Sequence, residues 1–211
     1  ILLLFLSFIP AHATNKDSLV LIIQNQNIPD TSRIKASREL AYFYLMEAGN
    51  AELALKAADA GLNIATKNNL YFWQGKMTAL KGYINQNLTR DFEQAINSYF
   101  LALRFYDKAE KNHEKFAVYL NLGNIYQDYN QANDAIKYYR LAEEIAIEHK
   151  NEEDLALVYS NLGAVYNTKE MDDEALQYYT KSKYYYKKFN SEVDIAVIDF
   201  NVTNISVQQT G

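Results

Sequence analysis

Apolar residues recur three and four positions apart in successive stretches of this chain, and short polar links separate the stretches. This spacing puts apolar side chains on one face of an α-helix, so it predicts amphipathic helices rather than strands. Only two prolines and seven glycines occur, which also favours long helices. We predict a short amphipathic segment at 16–27 and long antiparallel helices at 32–48, 51–66, 70–85, 91–111, 114–129, 131–150, 152–168, 171–189 and 191–208.

One group of residues returns after a fixed interval. Asn121, Leu122 and Gly123 are followed by Tyr126 and then by Tyr139, and the same residue types stand 40 positions further along (161 − 121 = 40 and 179 − 139 = 40). A fixed period of this size is typical of a helical solenoid, in which each repeat is one helical hairpin. The second occurrence consists of Asn161, Leu162, Gly163, Tyr166 and Tyr179.

These residues resemble the tetratricopeptide repeat, a pair of antiparallel helices. In that family a Leu-Gly pair and a tyrosine mark the first helix, and small and aromatic residues mark the second. The resemblance implies that Gly123 and Ala135 lie where the two helices of one hairpin cross closely, and that tyrosines fill the space beside them. The implied fold is an all-α, right-handed α-solenoid of four complete hairpins and one terminal helix.

Weaker copies flank the two clear ones. Ala95, Tyr99 and Ala102 precede their counterparts by 40, but Gly82 and Tyr83 are one residue out of register, so residues 87–90 are predicted to absorb an insertion. A still earlier copy contains Ala54, Ala58 and Gly61, and Asn201 begins a fifth copy. The long links resemble the long-repeat variants of bacterial regulators and cargo adaptors, and the residue usage resembles exported repeat proteins of Bacteroidetes.

Composition limits the class of protein. Hydrophobic residues make up 49% of the chain, enough for a continuous repeat core. The net charge of −5 argues against nucleic acid as a partner of this region. No cysteine is present, which excludes disulfides and thiolate zinc sites.

The first residues predict a secretory signal. An uncharged apolar run at 1–9 is followed by Pro10 and the small-x-small triplet Ala11-His12-Ala13. We therefore expect a signal remnant at 1–13, a single repeat domain at 14–211, and an exported protein that is periplasmic or extracellular. The run is shorter than the ~20 residues that a membrane-spanning helix needs, so a membrane contact is expected only through a part outside this chain.

No arrangement of residues predicts catalysis, a metal site or a cofactor. The acidic clusters at 152–154 and 172–174 fall at predicted helix starts, where carboxylates cap free N–H groups and oppose the helix dipole. His113 and His149 lie in separate links without metal-ligand spacing, and we expect them to be solvated. No nucleophile elbow, Walker loop or dinucleotide fingerprint occurs.

An asparagine recurs once per repeat on the first helices, immediately before the Leu-Gly position. In the family that the chain resembles, first helices line the concave face, and asparagines at this position bond the backbone of an extended peptide in several members. An amide side chain offers one acceptor and two donors, which suits that task. The alternative is that these amides bond within their own hairpin. The candidate groove residues are Asn121, Asn124, Gln127, Asn161, Asn201, Asn204, Tyr83 and Phe43.

The groove positions also argue against one specialised mode of binding. The two-carboxylate clamp of some family members needs lysine or arginine at places that Leu120, Ser160, Asn121 and Asn161 occupy here. The sequence therefore predicts a non-catalytic scaffold that binds a protein or an extended peptide segment. Two alternatives remain: a periplasmic sensor region of a longer membrane-bound regulator, and the scaffold part of an enzyme or a glycan-uptake protein.

Overall fold

The computed structural model describes residues 16–210, with side chains up to 207, and the predicted signal at 1–13 lies outside this range. The described residues form ten α-helices, and none of these helices is long and apolar enough to cross a membrane. Their bounds are α1 Lys16–Gln24, α2 Asp30–Met46, α3 Ala51–Lys67, α4 Tyr71–Ile84, α5 Phe92–Lys108, α6 Lys115–Asp128, α7 Ala132–Glu148, α8 Glu152–Thr168, α9 Asp172–Lys188 and α10 Glu192–Thr210.

Consecutive helices pack as hairpins: α2 with α3, α4 with α5, α6 with α7, and α8 with α9. The described chain falls into two compact units that meet in sequence between Ala109 and Glu110. In the first unit, α1 covers α2, with Leu19 buried and Ile22 and Ile23 packed against the core. The other core residues of this unit include Ile34, Leu40, Ala54, Ala58, Met77, Leu80 and Ile84.

The second unit contains the two clear repeats and α10. Its main core is formed by the inner faces of α6, α7, α8 and α9, and α10 closes a smaller cluster against α9. Apolar surface removed from water drives this packing, at about 25 cal/mol per Å². The main core comprises Phe116, Ala135, Tyr139, Ala142, Ile145, Ala146, Leu155, Val158, Tyr159, Leu162, Val165 and Tyr178, and the smaller one comprises Ala175, Tyr179, Ile198 and Ile205.

The predicted close approach at the repeat glycines is confirmed, and its cause is a tyrosine ring. A methyl group added at Gly123 would lie 2.4 Å from Cε1 of Tyr139, and one at Gly163 would lie 2.6 Å from Cδ1 of Tyr179. Each ring comes from the second helix of the same hairpin and is fully buried. The glycine is therefore the space into which the tyrosine of its own hairpin packs.

The helix joints repeat at a shorter interval than the hairpins. From residue 90 to residue 190, every twentieth residue has a positive φ of 52° to 57°. Each of these residues directly follows the last turn of a helix. This left-handed residue redirects the chain so that the next helix can start antiparallel to the last. The joint residues are Arg90, Glu110, Asn130, Lys150, Glu170 and Asn190. Gly49 and Asn69 are joints of the same kind, 20 residues apart, and Asn69 precedes Arg90 by 21.

The insertion that the sequence predicted near 87–90 is present as a π-helical turn. Residues Asn85–Thr89 extend α4 with this wider turn, in which Asp91 N–H bonds to the carbonyl of Asn85, six residues back. At the equivalent joint after α6, Gln131 N–H bonds to the carbonyl of Tyr126, five residues back. One extra residue is therefore absorbed in the backbone of the joint, and the later repeats keep their register.

A glycine at a joint should stabilise the protein. Glu170 has φ 56°, a backbone conformation that costs a residue with a side chain about 1–2 kcal/mol. Glycine removes this cost, but it makes the unfolded chain more flexible, which lowers the free energy of unfolding by about 0.4–1 kcal/mol. We expect Glu170→Gly to raise the free energy of unfolding by about 0.5–1 kcal/mol in urea denaturation. The control, Gln177→Gly in the middle of α9, should lower it by about 1 kcal/mol; a loss of stability in both variants would refute the argument.

Candidate functional site

Three asparagines occupy the same place on the first helices of the second unit. Asn121 lies on α6, Asn161 on α8 and Asn201 on α10, and each is half-buried. Their side-chain amides make no hydrogen bond to any residue that the structure describes, which disfavours the alternative that they bond within their hairpins. Half-buried amides without a protein partner are available to a ligand.

Asn124 and Gln127 have a partner inside the hairpin that the sequence did not reveal. The hydroxyl of Tyr139 lies 2.7 Å from Oδ1 of Asn124 and 2.9 Å from Oε1 of Gln127, and its single hydrogen bonds one of them at a time. Burial raises the pKa of this hydroxyl well above its usual value, so it remains a donor. In the first unit, Tyr99 donates to Oε1 of Gln86 in the same way, at 2.8 Å.

These contacts leave the NH₂ groups of Asn124 and Gln127 for solvent or a ligand. Their carbonyl oxygens instead hold a buried tyrosine, which fixes the orientation of both amides. The next repeat carries Ala164 and Asn167 at these two positions, and Asn204 on α10 is exposed. The amides at 124 and 127 are thus part of the hairpin as well as of its surface.

Tyr83 and Phe43 belong to the first unit. Tyr83 is half-buried and packs against that unit's core. Phe43 is half-buried on α2, with its ring edge-to-face on Tyr44 at 5.6 Å between centroids. Both rings thus have packing roles within their own unit.

Tyrosines stack in the same pattern in both clear repeats. The rings of Tyr126 and Tyr138 lie parallel, 5.2 Å apart and tilted by 7°, and those of Tyr166 and Tyr178 repeat this at 5.3 Å and 6°. Arg140 lies over the ring of Tyr178 and donates to its hydroxyl. Burial raises the pKa of Tyr138 to about 12, so this hydroxyl stays neutral and carries no base chemistry near pH 7.

The side chains of Tyr184, Tyr185 and Tyr186 point in different directions, because successive residues of a helix are rotated by about 100°. Tyr184 is exposed, Tyr185 stacks on Tyr159 at 6.0 Å between centroids, and Tyr186 packs against the cluster under α10. The three rings therefore do not form one stacking platform.

His113 and His149 are brought together although they are 36 residues apart in the sequence. Their rings meet edge-to-face with centroids 5.8 Å apart, and the carboxylate of Glu114 is 3.3 Å from Nε2 of His113. The sequence placed both in solvated links and did not predict that they meet. No group of three or more histidine, cysteine or acidic side chains in the described range could hold a metal ion.

The acidic clusters lie at the starts of α8 and α9 as predicted, but the capping group differs from the prediction. Asn151 caps α8, with its Oδ1 accepting from the N–H groups of Glu153 and Asp154. Met171 precedes α9, and its side chain makes no capping hydrogen bond. At α8 the prediction that the carboxylates cap the helix is wrong, because Asn151 takes that place. The carboxylates in the first turns of both helices oppose the helix dipole.

Residues 115–188 match the sequence profile of the tetratricopeptide repeat family. This range covers α6 to α9 and contains both of the clear repeats. The resemblance read from Gly123 and its counterparts is thereby confirmed. No curated protein sequence matches the chain at a significant level.

Several solved structures are similar in fold. BtubC from P. vanneervenii is 21% identical with a TM-score of 0.70, over 83% of this chain and 72% of that one. Aspartyl phosphate phosphatase F from Bacillus subtilis is 15% identical with a TM-score of 0.77, over 88% of this chain and 47% of that one. A signal transduction ATPase with a tetratricopeptide repeat sensor, from Pyrococcus horikoshii, is 18% identical with a TM-score of 0.74, over 91% of this chain and 30% of that one.

These likenesses show the fold. The predicted class, an all-α solenoid of tetratricopeptide-like hairpins, is confirmed. The chain spans about half or less of the phosphatase and of the ATPase.

Proposed function

We propose that this array of tetratricopeptide repeats is a non-catalytic scaffold that holds an extended peptide segment of a protein partner on the first helices of its second unit. The observation that carries the proposal is the recurrence of Asn121, Asn161 and Asn201, half-buried and without a partner in the described chain. A polar group in that state gains more from a ligand's hydrogen bond than an exposed one does, since it is already partly removed from water.

The amide side chain matches the peptide bond in both directions. Its carbonyl accepts from a backbone N–H and its NH₂ donates to a backbone C=O, so it binds main chain whatever the side chains are. A main-chain contact repeated once per hairpin favours an extended segment, because only an extended backbone presents free N–H and C=O groups along its length.

The chemical properties of the neighbouring residues support the proposal that the scaffold is non-catalytic. Burial holds the pKa of both Tyr138 and Tyr159 at about 12, so these two hydroxyls are neutral near pH 7. The acidic residues at 152–154 occupy a helix start and serve the helix.

A sensor region of a longer regulator is the second candidate. It is favoured by the likeness to the Pyrococcus ATPase, whose repeats are named as a sensor and of which this chain covers 30%. Such a region would use the same face, so a bound peptide would be its signal. Export to the periplasm or the outside, expected from residues 1–13, is compatible with either candidate.

Removal of the side-chain amides of Asn121 and Asn161 should weaken the binding of every peptide that docks on these first helices. Peptides would first be selected from a random-sequence library against the native protein, and their affinities measured by fluorescence polarisation. For the double variant Asn121→Ala/Asn161→Ala we expect a loss of about 0.5–1.5 kcal/mol per amide, which is roughly 5- to 150-fold in Kd for the pair. Gln177→Ala, which removes an exposed amide on a second helix, should change nothing.

Thermal unfolding of the same variants distinguishes amides that bind a ligand from amides that stabilise the hairpin. A double variant with native stability and weakened binding supports the proposal. One that melts early but still binds its selected peptides with native affinity would show that the amides serve the fold.

A further inference from the structure

The face that carries the three asparagines has no charged residue in its middle. We call it the ladder face: positions 117, 120, 121, 124 and 127 of α6, which span one side of that helix, with the positions 40 and 80 residues further along α8 and α10. Charged residues are 22% of the chain, so 15 positions should hold about three. The ladder face holds none, and consists of Ala117, Leu120, Asn121, Asn124, Gln127, Leu157, Ser160, Asn161, Ala164, Asn167, Val197, Phe200, Asn201, Asn204 and Val207.

Charges lie only at the edges of this face. Asp128 follows it on α6, and Glu153 precedes it on α8. Asp199, beside it on α10, is paired with Lys183. A charged side chain docked in the middle would lose water without meeting an opposite charge, which is costly.

Four apolar residues of the ladder face on α8 and α10 are exposed. Leu157 is 38% exposed, Val197 52% and Phe200 66%, and Val207 continues the same side of α10. Scattered apolar residues on a surface need no explanation, but a contiguous exposed group beside hydrogen-bonding amides is typical of a binding site. We call Leu157, Val197, Phe200 and Val207 the apolar stripe.

A second helix packed on α10 in the repeat register would lie against a different side of α10 from the stripe. On α8, the side that receives α9 holds Tyr159, Gly163 and Tyr166, as their contacts with Tyr178 and Tyr179 show. The equivalent residues of α10 are Asp199, Thr203 and Ser206, which are polar and exposed. A helix in that place would meet a polar surface.

We infer that the segment bound on the ladder face is extended and uncharged, and that it places apolar side chains on the stripe. This inference rests on the proposed function and adds the partner's chemistry to it. Side chains of an extended segment alternate in direction, so every second one faces the stripe while the main chain reaches the amides. Phe200 is the anchor, since it is the largest and most exposed member of the stripe.

The library selection described above tests the composition directly. Peptides that depend on Asn121 and Asn161 should be depleted in Asp, Glu, Lys and Arg and enriched in aliphatic and aromatic residues at alternate positions. Their Kd should also stay unchanged between low and high salt, because screening acts only on charged contacts. Selected peptides that are charged, or whose affinity falls steeply with salt, would overturn the inference while leaving the amide ladder intact.

A matched pair of phenylalanine variants tests the anchor. Phe200→Ala should weaken these peptides about tenfold or more, whereas Phe189→Ala, a partly exposed ring outside the ladder face, should leave them unchanged. Both side chains are exposed, so thermal unfolding should show a native fold. If Phe200→Ala binds as well as the native protein, the stripe is not the anchor, even when Asn121→Ala/Asn161→Ala abolishes binding.

Self-association is the remaining outcome, and light scattering detects it. A native protein that dimerises, with a dimer that Phe200→Lys disrupts, would assign the stripe to a second copy of this chain and overturn the inference. A native monomer whose selected peptides fail to bind Phe200→Lys supports it. Failure of the library to yield any peptide dependent on the amides would instead refute the proposed function itself.

Discussion

Substitution of Tyr139 by alanine should lower the free energy of unfolding of the second unit by about 3–5 kcal/mol, the usual cost of removing a large buried ring. The ring is fully buried against Gly123, where no side chain can expand into the space it leaves. Its hydroxyl also holds Asn124 and Gln127, so part of the loss comes from the hydrogen bond. Urea denaturation followed by circular dichroism measures the change.

Two further variants divide this loss. Tyr139→Phe keeps the ring and should cost only about 0.5–1.5 kcal/mol, since it removes one hydrogen bond. Tyr184→Ala removes an exposed tyrosine from the same unit and should cost less than about 1 kcal/mol. Equal losses for Tyr139→Ala and Tyr184→Ala would mean that burial at the glycine does not set the stability.

Replacement of Gly123 by leucine should destabilise the same unit by about 1–3 kcal/mol through overpacking. Helix propensity alone predicts the opposite sign, because glycine in a helix is worse than most residues by up to about 1 kcal/mol. The steric effect wins since an added Cβ would stand 2.4 Å from the Tyr139 ring, and that ring is buried and tethered by its hydroxyl. Ala135→Leu, at a fully buried position, should behave alike.

The matched control is Ala117→Leu, which places the same side chain on the exposed side of α6 and should change stability by no more than about 0.5 kcal/mol. The double variant Gly123→Leu/Tyr139→Ala should lose clearly less than the sum of its parts, because the leucine enters the space that the ring leaves. Additive losses would mean that the two residues do not share that space.

Repeat equivalence explains why so much of the fold followed from the sequence. The helix predicted at 152–168 is Glu152–Thr168 in the structure, and the one predicted at 114–129 is Lys115–Asp128. Each helix was constrained twice, by its own apolar spacing and by its counterpart 40 residues away. A glycine opposite a tyrosine in two copies also identified the contact of greatest steric consequence.

The joints and the histidine pair could not be predicted for different reasons. Glu170 and Lys150 are residue types that rarely adopt positive φ, so their own chemistry gives no sign of the turn that the flanking helices impose. His113 and His149 meet because one falls just before α6 and the other just after α7, which is a matter of hairpin geometry rather than of sequence spacing.

Part of the candidate site could be predicted from the sequence, and part of it could not. The positions of Asn121, Asn161 and Asn201 followed from the repeat, because a residue immediately before the Leu-Gly pair must lie at one place on each first helix. That Asn124 and Gln127 serve Tyr139 depends on the distance between a hydroxyl and two amides, which no pattern of letters contains. The apolar stripe required knowing which side of α10 is left exposed.

The backbone conformation that the joints share also affects how such a chain can gain or lose repeats during evolution. Asn130 and Glu170 have the same backbone conformation, each follows a first helix, and each is followed by one residue and then a second helix. Deletion of residues 131–170 would therefore join α6 to α9 through an unchanged turn and set Gly123 against Tyr179. Unequal recombination between gene copies can thus add or remove whole hairpins without a new junction having to evolve, and the number of ladder amides changes with them.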